Sequence, residues 1–454
     1  MTRVVILTGD PVGAAMAGPA IRAWNMALEL QRHGHEVRIV STSDSTESSA
    51  RDGVSVECVR AGDDRAFRSH ERWAQVIVFQ GYGLGQFDSL RRTDRFLVAD
   101  VYAPMHLEAL EQGRDLARAT WHLRVATARD SLTDQLRRAD LVLCASERQR
   151  LLYLGHLAAI GRVTPATYAG DPELRGLLAL APFGLPTEPP APGRALRGAH
   201  PAIDTDSRVL LWGGGVYDWF DPLTLIRAVA LAKESVPGIR LVFLGTRHPK
   251  VDEMGIVRRA VDLATELGVE GREVVFNDTW VPYDERGAYL LEADAGVSTH
   301  HVHVETTFAF RTRILDYLWA GLPMVVTEGD GFADLVREEG LGVVVPANDE
   351  DALADALTAV LTDTAAAQQY RANVARVRQQ YTWPVVLKPL VRYVDAPRHA
   401  ADYVPGRARM GAGSGRARRT AGPGHAVRMT WHHLRHSGVR GLAARVRARL
   451  GGRS

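Results

Sequence analysis

Arg3-Val4-Val5-Ile6-Leu7-Thr8 runs straight into Gly9-Asp10-Pro11, and this stretch, taken together with residues 13–40, decides the fold. A short apolar run closed by turn residues is a buried strand. Gly13 to Pro19 is small and glycine-bearing. Ala20 to His33 then sets Ile21, Trp24, Leu28 and Leu30 at helical spacing, and Gly34 stops it. Glu36-Val37-Arg38-Ile39-Val40 is the next strand. Strand, glycine-bearing loop, helix and strand make one βαβ unit of a parallel α/β sheet.

Working outward, the pattern repeats. Gln75–Phe79, Phe96–Ala99 and Asp140–Cys144 are further apolar runs separated by helical stretches. Runs of this kind belong to a sheet buried on both faces. Pro182 to Pro201 holds six Pro and three Gly without periodicity, and reads as a linker. A second series comes after it: Arg208–Trp212, Gly213-Gly214-Gly215, a helix from Pro222 to Ala232, then strands at Ile239–Leu244, Val274–Phe276, Ala295–Ser298, Pro323–Thr327 and Gly342–Val345. Helices fill Asp349 to Tyr381. The expected fold class is therefore α/β, with two Rossmann-like domains whose parallel sheets face each other across a cleft. The expected divisions are 1–185, a linker 186–201, 202–382, a helix 383–395 crossing back to the first domain, and a tail 403–454.

The 454 residues are 46% apolar and 24% charged, which excludes a disordered chain or a fibre. Two cysteines exclude a disulfide framework, and Cys58 and Cys144 sit in strand-like runs that read as core. No apolar run is long enough to span a bilayer. Met1-Thr2-Arg3 leads into a strand and not into a signal-peptide pattern, so the expected location is cytoplasmic. The net charge of +2 hides an asymmetry: residues 403–454 hold twelve Arg and no Lys, Asp or Glu, which leaves −10 on residues 1–402. Leu434, Val439, Leu442, Val446 and Leu450 alternate with Arg in that tail. The functional reading is contact with an anionic membrane surface, peripheral at its inner face. The alternative is an inert solvated tail. Nucleic acid is not expected as a partner, because the tail lacks aromatic interleaving and any zinc-finger signature.

Three constellations can carry chemistry. Gly13 through Arg22 leads a glycine-bearing loop into a helix N-terminus, where free N–H groups suit an anion or a hydroxyl. Gly18 and Arg22 are the candidates for an acceptor or phosphate loop, against the reading of an ordinary turn; neither GxGxxG nor a P-loop is present. Gly213, Gly214 and Gly215 directly after a strand permit close backbone approach to a ligand. Asp221 suits a helix N-cap with Pro222 behind it, and Trp219 and Phe220 need packing or a ligand to cover them. The third is Thr299 to Phe308 with Arg311, Arg313 and Asp316 on the helix after it. His300, His301 and His303 lack a metal-binding spacing, so no metal and no cofactor is expected. Arg313 suits a phosphate and Asp316 a ribose, against the reading of an i,i+3 surface pair.

The residues also carry a resemblance. Gly18-Pro19-Ala20 through Leu30 with Arg32-His33-Gly34-His35-Glu36-Val37, Asp140 to Glu147, Phe183-Gly184, Val242-Phe243-Leu244-Gly245 and Tyr381-Thr382-Trp383 are similar to segments of the retaining, nucleotide-sugar-dependent glycosyltransferases of the two-Rossmann-domain (GT-B) type, family 4-like. Leu315-Asp316-Tyr317-Leu318-Trp319-Ala320-Gly321-Leu322-Pro323-Met324-Val325 resembles that family's Glu-Ala-Met-Ala-x-Gly-x-Pro-Val-Val segment best. The donor site diverges. The family's Arg and Lys after the second domain's first strand are missing, Asp316 stands for its ribose glutamate, and the partner glutamate's place falls at Phe308, with Glu305 out of register.

The resemblance implies sugar transfer from a nucleoside-diphosphate sugar to a hydroxyl acceptor, lipid-linked in the membrane reading, for cell-surface polysaccharide or specialised glycoside synthesis. Gly213, Gly214, Gly215, Arg311, Arg313 and Asp316 would hold the donor. His106 would touch the sugar ring or its developing charge. A hydrolase or epimerase of the same fold, and a silent nucleotide-binding partner, are the alternatives.

Overall fold

A computed structural model describes residues 1–13, 16–246, 255–279, 281–282 and 285–405. The basic region from Gly406 onward, with its expected amphipathic stretch, lies outside the described residues.

Two sheets organise the chain. The first contains β1 (Arg3–Thr8), β2 (Glu36–Ser41), β3 (Ser49–Arg51), β4 (Val54–Cys58), β5 (Val76–Gln80), β6 (Phe96–Asp100), β7 (Leu141–Cys144) and β8 (Leu178–Leu180), in the order β3-β4-β2-β1-β5-β6-β7-β8. Only β3 runs antiparallel to its neighbour. The second contains β9 (Arg208–Gly215), β10 (Ile239–Gly245), β11 (Val274–Phe276), β12 (Ala295–Ser298), β13 (Met324–Thr327) and β14 (Gly342–Val345), in the order β11-β10-β9-β12-β13-β14 and parallel throughout.

The apolar runs are continuous because both faces of each sheet are covered. In β1, Val4 and Ile6 enter the core that includes Ala23 and Met26 of the helix Gly18–Arg32. Val5 and Leu7 enter another core with Phe67, Phe87 and Leu132. Cys144 is buried in β7, where burial pushes its thiol up to about 12 and keeps it inert. Cys58 is only half-buried, its Sγ 3.3 Å from the Ser43 carbonyl oxygen. Among the described residues no helix is long and apolar enough to cross a membrane.

Strand order reverses between β1 and β5 in the first sheet, and between β9 and β12 in the second. Crevices at such points, beyond the carboxyl ends of the strands, are where open α/β sheets bind ligands. Two sets of contacts join the sheets' layers. At the start of the helix Glu147–Ala159, Arg148 donates to the carbonyls of Gly329 (2.8 Å) and Thr307 (3.4 Å) and pairs with Asp334. Its neighbour Gln149 is fully buried and donates to the carbonyls of Tyr102 (2.8 Å) and Phe308 (2.9 Å). The chain also returns: the helices Trp383–Val386 and Lys388–Asp395 pack on the helix Gly18–Arg32, and Trp383 lies 4.9 Å from the Phe183 ring.

Candidate active site

The second layer's floor is built from β9. Trp212 and Phe220 are buried with ring centroids 5.7 Å apart. Arg313 lies over both, its guanidinium carbon 4.3 Å from the Trp212 centroid and 4.1 Å from that of Phe220. Its Nη2 donates to the Gly215 carbonyl at 2.8 Å, while Nη1 is buried without a hydrogen-bond partner. Burial pushes Arg313 down to about 10, so it is a full cation at neutral pH. Asp316 does not pair with it directly; its carboxylate lies 3.2 Å from Arg286, and burial raises its pKa.

The three glycines divide. Gly213 is packed by Tyr317, whose hydroxyl accepts the Gly213 N–H at 2.9 Å and donates toward the carbonyls of Leu211 (2.9 Å) and Val297 (2.8 Å). Gly215 is covered by the Tyr217 ring, so close that a Cβ would stand 2.9 Å from it. Of the three, only Gly214 is open, with φ +94° and nothing within 4 Å of a Cβ position. Two of the glycines thus make room for the protein's own tyrosines, and the third leaves its backbone bare.

Asp221 caps the helix Pro222–Ala232 by accepting from the Thr224 N–H at 3.0 Å. That helix end, as its N-cap reading expected, already holds a carboxylate. The helix Thr312–Ala320 has neither a side-chain cap nor an acid in its first turn, so its free N–H groups stand beside Arg311 and Arg313. Arg311 is itself engaged: its Nη atoms donate to Glu305 at 3.0 and 2.7 Å. His303 caps the short helix Val304–Phe308 through the Thr306 N–H and stands 3.7 Å from Glu305 and 4.0 Å from Glu111 of the first layer. The described residues contain no group of His, Cys, Asp or Glu that could hold a metal.

In the first layer Arg22 is fully buried. Nε and Nη2 grip both oxygens of Asp100 at 2.7 and 2.8 Å, and Nη1 and Nη2 donate to the carbonyls of Pro182 and Ala181. Gln80 completes the set with a 2.9 Å bond to Asp100. Arg22 therefore ties the ends of β5, β6 and β8 together and is not presented to a ligand, contrary to its sequence reading. Gly18 starts its helix against Tyr102, whose hydroxyl is 3.6 Å from a Cβ position there. His106 is half-buried on the helix Met105–Glu111, pushed down to about 4 by burial and then by His156 of its own layer, so it is neutral. Its Nδ1 is buried without a partner.

Sequence reading passed over the group that faces the second layer. Glu108, two residues beyond His106, is raised to about 7 by burial and then by Glu305, with Arg311 opposing. Its charge and that of Asp10, at the end of β1, both act on Tyr102 and on Tyr217. Tyr217 also feels Arg313. Asp10 and Glu108 of the first layer are thus within electrostatic reach of Tyr102 and of Tyr217, which also feels Arg313 of the second. Asp10 stands directly after a strand at a switch point, which was a signal the sequence contained; Glu108 carried none.

Comparison with known proteins bears on this site. Residues 207–363, which contain β9 to β14 and the Arg313 wall, match the family described as Glycosyl transferases group 1. The chain is a glycosyltransferase of the GT-B type. Over 353 residues it is 25% identical to a D-inositol 3-phosphate glycosyltransferase of Saccharomonospora viridis, covering 74% of this chain and 78% of the relative. A shorter stretch of 84 residues is 34% identical to a phosphatidyl-myo-inositol mannosyltransferase of Mycobacterium leprae; it spans 18% of this chain and 22% of that relative. Among solved structures, sucrose-phosphate synthase from Thermosynechococcus elongatus aligns with TM-score 0.67 at 18% identity, over 88% of the glycosyltransferase and 100% of that chain. Anabaena HepE in complex with UDP-glucose aligns with TM-score 0.59 at 13% identity, over 87% and 100%. These likenesses carry the fold.

Proposed function

We propose that the glycosyltransferase moves a sugar from a nucleoside diphosphate to a hydroxyl acceptor, with retention of anomeric configuration. In this reading 202–382 is the donor domain and 1–185 the acceptor domain. The observation that carries it is the unpartnered Nη1 of Arg313, buried beside the bare backbone of Gly214. A buried cation with an idle donor is costly unless an anion meets it. A diphosphate would receive Arg313 and the free N–H groups opening the helix Thr312–Ala320. Those groups oppose the charge that grows on the leaving phosphate as the glycosidic bond breaks. Asp316 is the proposed ribose ligand. Gly213 serves by fixing the strand end through Tyr317, and Arg311 by holding Glu305 toward the first layer. Neutral His106 is proposed to contact the sugar ring. The solved relative with UDP-glucose supports a donor of that chemical class.

The basic region 403–454 is proposed to draw the enzyme to an anionic membrane surface, which would suit a lipid-linked acceptor. The test of the transfer is a thermal-shift series with UDP-, GDP-, dTDP- and ADP-sugars, followed by product identification with and without an acceptor. A stabilising donor that yields a glycoside only with acceptor supports transfer. Free sugar at equal rate in both cases indicates a hydrolase, and binding without turnover a silent partner.

A further inference from the structure

The loop between β9 and the helix Pro222–Ala232 carries an aromatic stack that the diphosphate leaves unused. The Tyr217 and Trp219 rings are nearly parallel, 8° apart in plane with centroids 4.9 Å apart. Phe220 tilts against both, at 5.7 and 6.0 Å, and passes the contact on to Trp212 at 5.7 Å. The inner end of this series is core: Phe220 is 3% exposed and Trp212 is fully buried. The outer end is not, for Trp219 is half-buried and Tyr217 is 40% exposed.

The exposed rings are held in place. Asp218, between them in sequence, accepts the Ile256 N–H at 2.9 Å. The Phe220 N–H donates to the Tyr217 carbonyl at 2.9 Å, and the Asp221 N–H to the Thr299 carbonyl at 3.1 Å. Gly215 leaves the Tyr217 ring the space that a Cβ would fill. A fixed aromatic surface of this kind meets a ligand without the cost of being ordered first.

Its position says which part of a ligand it meets. Tyr217 lies on Gly215, whose carbonyl takes the Arg313 Nη2 at 2.8 Å, and the bare backbone of Gly214 is next to it. Trp219 stands toward the first layer: its carbonyl is 3.4 Å from His303 Nε2, and His303 Nδ1 is 4.0 Å from Glu111. The stack therefore runs from the place of the phosphates to the gap between the layers. A ring that hangs from the outer phosphate and is open to an acceptor on the first domain lies along that run.

We propose that Tyr217 and Trp219 form a platform for the transferred sugar, a neutral pyranose whose C–H face lies on the exposed Tyr217 ring. This rests on the assignment of the diphosphate to Arg313 and Gly214. A pyranose turns its equatorial hydroxyls to the rim and its axial C–H bonds to its faces. Those hydrogens, beside oxygen-bearing carbons, are slightly positive, and the face of an aromatic ring is negative. The contact buries apolar surface and leaves the rim hydroxyls free for other partners. A carboxylate on the ring would instead be desolvated against the stack with no partner there. The nucleobase is carried at the opposite end of the diphosphate and does not share this platform.

The test is calorimetric titration of the full-length enzyme and its variants with UDP, UDP-glucose, GDP and GDP-mannose. Tyr217→Ala should weaken the sugar nucleotide that binds the parent at least fivefold and its free diphosphate less than twofold, and Trp219→Ala should act in the same sense. Tyr217→Phe keeps the ring and should bind as the parent does. On the unaltered enzyme, whatever the fate of the variants, UDP-glucose should bind at least fivefold tighter than UDP-glucuronate, or GDP-mannose than GDP-mannuronate. Equal losses of diphosphate and sugar nucleotide in a folded variant overturn the platform, as a nucleobase stack or a structural role would give them. So does a folded Tyr217→Ala that binds sugar nucleotides normally and changes only the acceptor KM, or a parent that binds the carboxylate sugar as well as the neutral one. Binding of neither UDP nor GDP to the parent overturns the donor assignment and the platform with it, whereas diphosphate binding with none of these sugar effects overturns the platform alone.

Discussion

Arg22 and Glu108 show what burial does to a charge. Arg22 has a carboxylate on two of its nitrogens and carbonyls for the others, so it is compensated. Arg22→Ala would strand Asp100 in the core, a loss of about 3–5 kcal/mol. Urea unfolding should show it as a lower midpoint with unchanged slope; a loss under about 1 kcal/mol would mean that Arg22 does not tie these strand ends together. Glu108 is uncompensated, and its raised pKa makes a signed prediction. Between the ordinary carboxylate range and about 7 the folded state holds a proton that the unfolded state has released. Stability therefore falls as pH rises through that window. Half-buried His106 and buried His300, pushed down to about 4 and about 3, act oppositely, because unfolding lets them take up protons below their ordinary value. Glu108→Gln removes the first effect only. Its unfolding free energy relative to the parent should climb from pH 5 to pH 8, and a flat difference would deny the shift. The sequence could show that position 108 is acidic; it could not show the approach of Glu305 and Arg311 from about two hundred residues away, on which the shift depends.

At the scale of elements, most strands were legible because each is an apolar run covered on both faces. β3 was not, since all three of its residues are exposed, and β8 is three residues long. The glycine run after β9 was legible as a place of close approach, but the approaching groups at Gly213 and Gly215 are tyrosines of the chain itself. One of the two elements that couple the layers is the first turn of the helix Glu147–Ala159. Its N-cap Ser146 fixes the turn by accepting from the Gln149 N–H, and Arg148 and Gln149 then reach loops beyond β12 and β13. Closing a crevice in this way excludes water from an activated sugar. Arg148→Met should leave the melting transition nearly unchanged and weaken closure by about 1 kcal/mol, roughly fivefold. The expected readings are a larger radius of gyration by small-angle scattering with donor bound, a donor KM raised severalfold and more hydrolysis per transfer. An unaltered radius and KM would show that the contact is incidental.

For the whole molecule, the proposal divides labour between an acidic body and a basic end. Each basic residue near an anionic surface contributes roughly 1 kcal/mol, weakened by salt. Removal of residues 403–454 should abolish salt-sensitive binding to phosphatidylserine vesicles and preserve transfer to a soluble acceptor. Equal vesicle binding by the shortened enzyme would refute the anchor, and lost transfer in a folded protein would place the region in catalysis. The body ends where it begins. Thr2 donates its hydroxyl proton to the Val394 carbonyl at 2.9 Å, His35 meets Asp395, Arg162 grips Asp402 with two 2.7 Å bonds, and the Ala400 N–H donates to Asp140. The first sheet is thus sealed by residues that leave the ribosome long after its strands do. While the second half is still being made, the early half has the faces of Phe183, Leu185 and the helix Gly18–Arg32 uncovered, and its maturation waits on the stretch from Trp383 to Asp402. Synthesis order, and not only equilibrium, then makes the two halves one folding unit, with nascent chains dependent on holdase protection until Trp383 and its neighbours arrive.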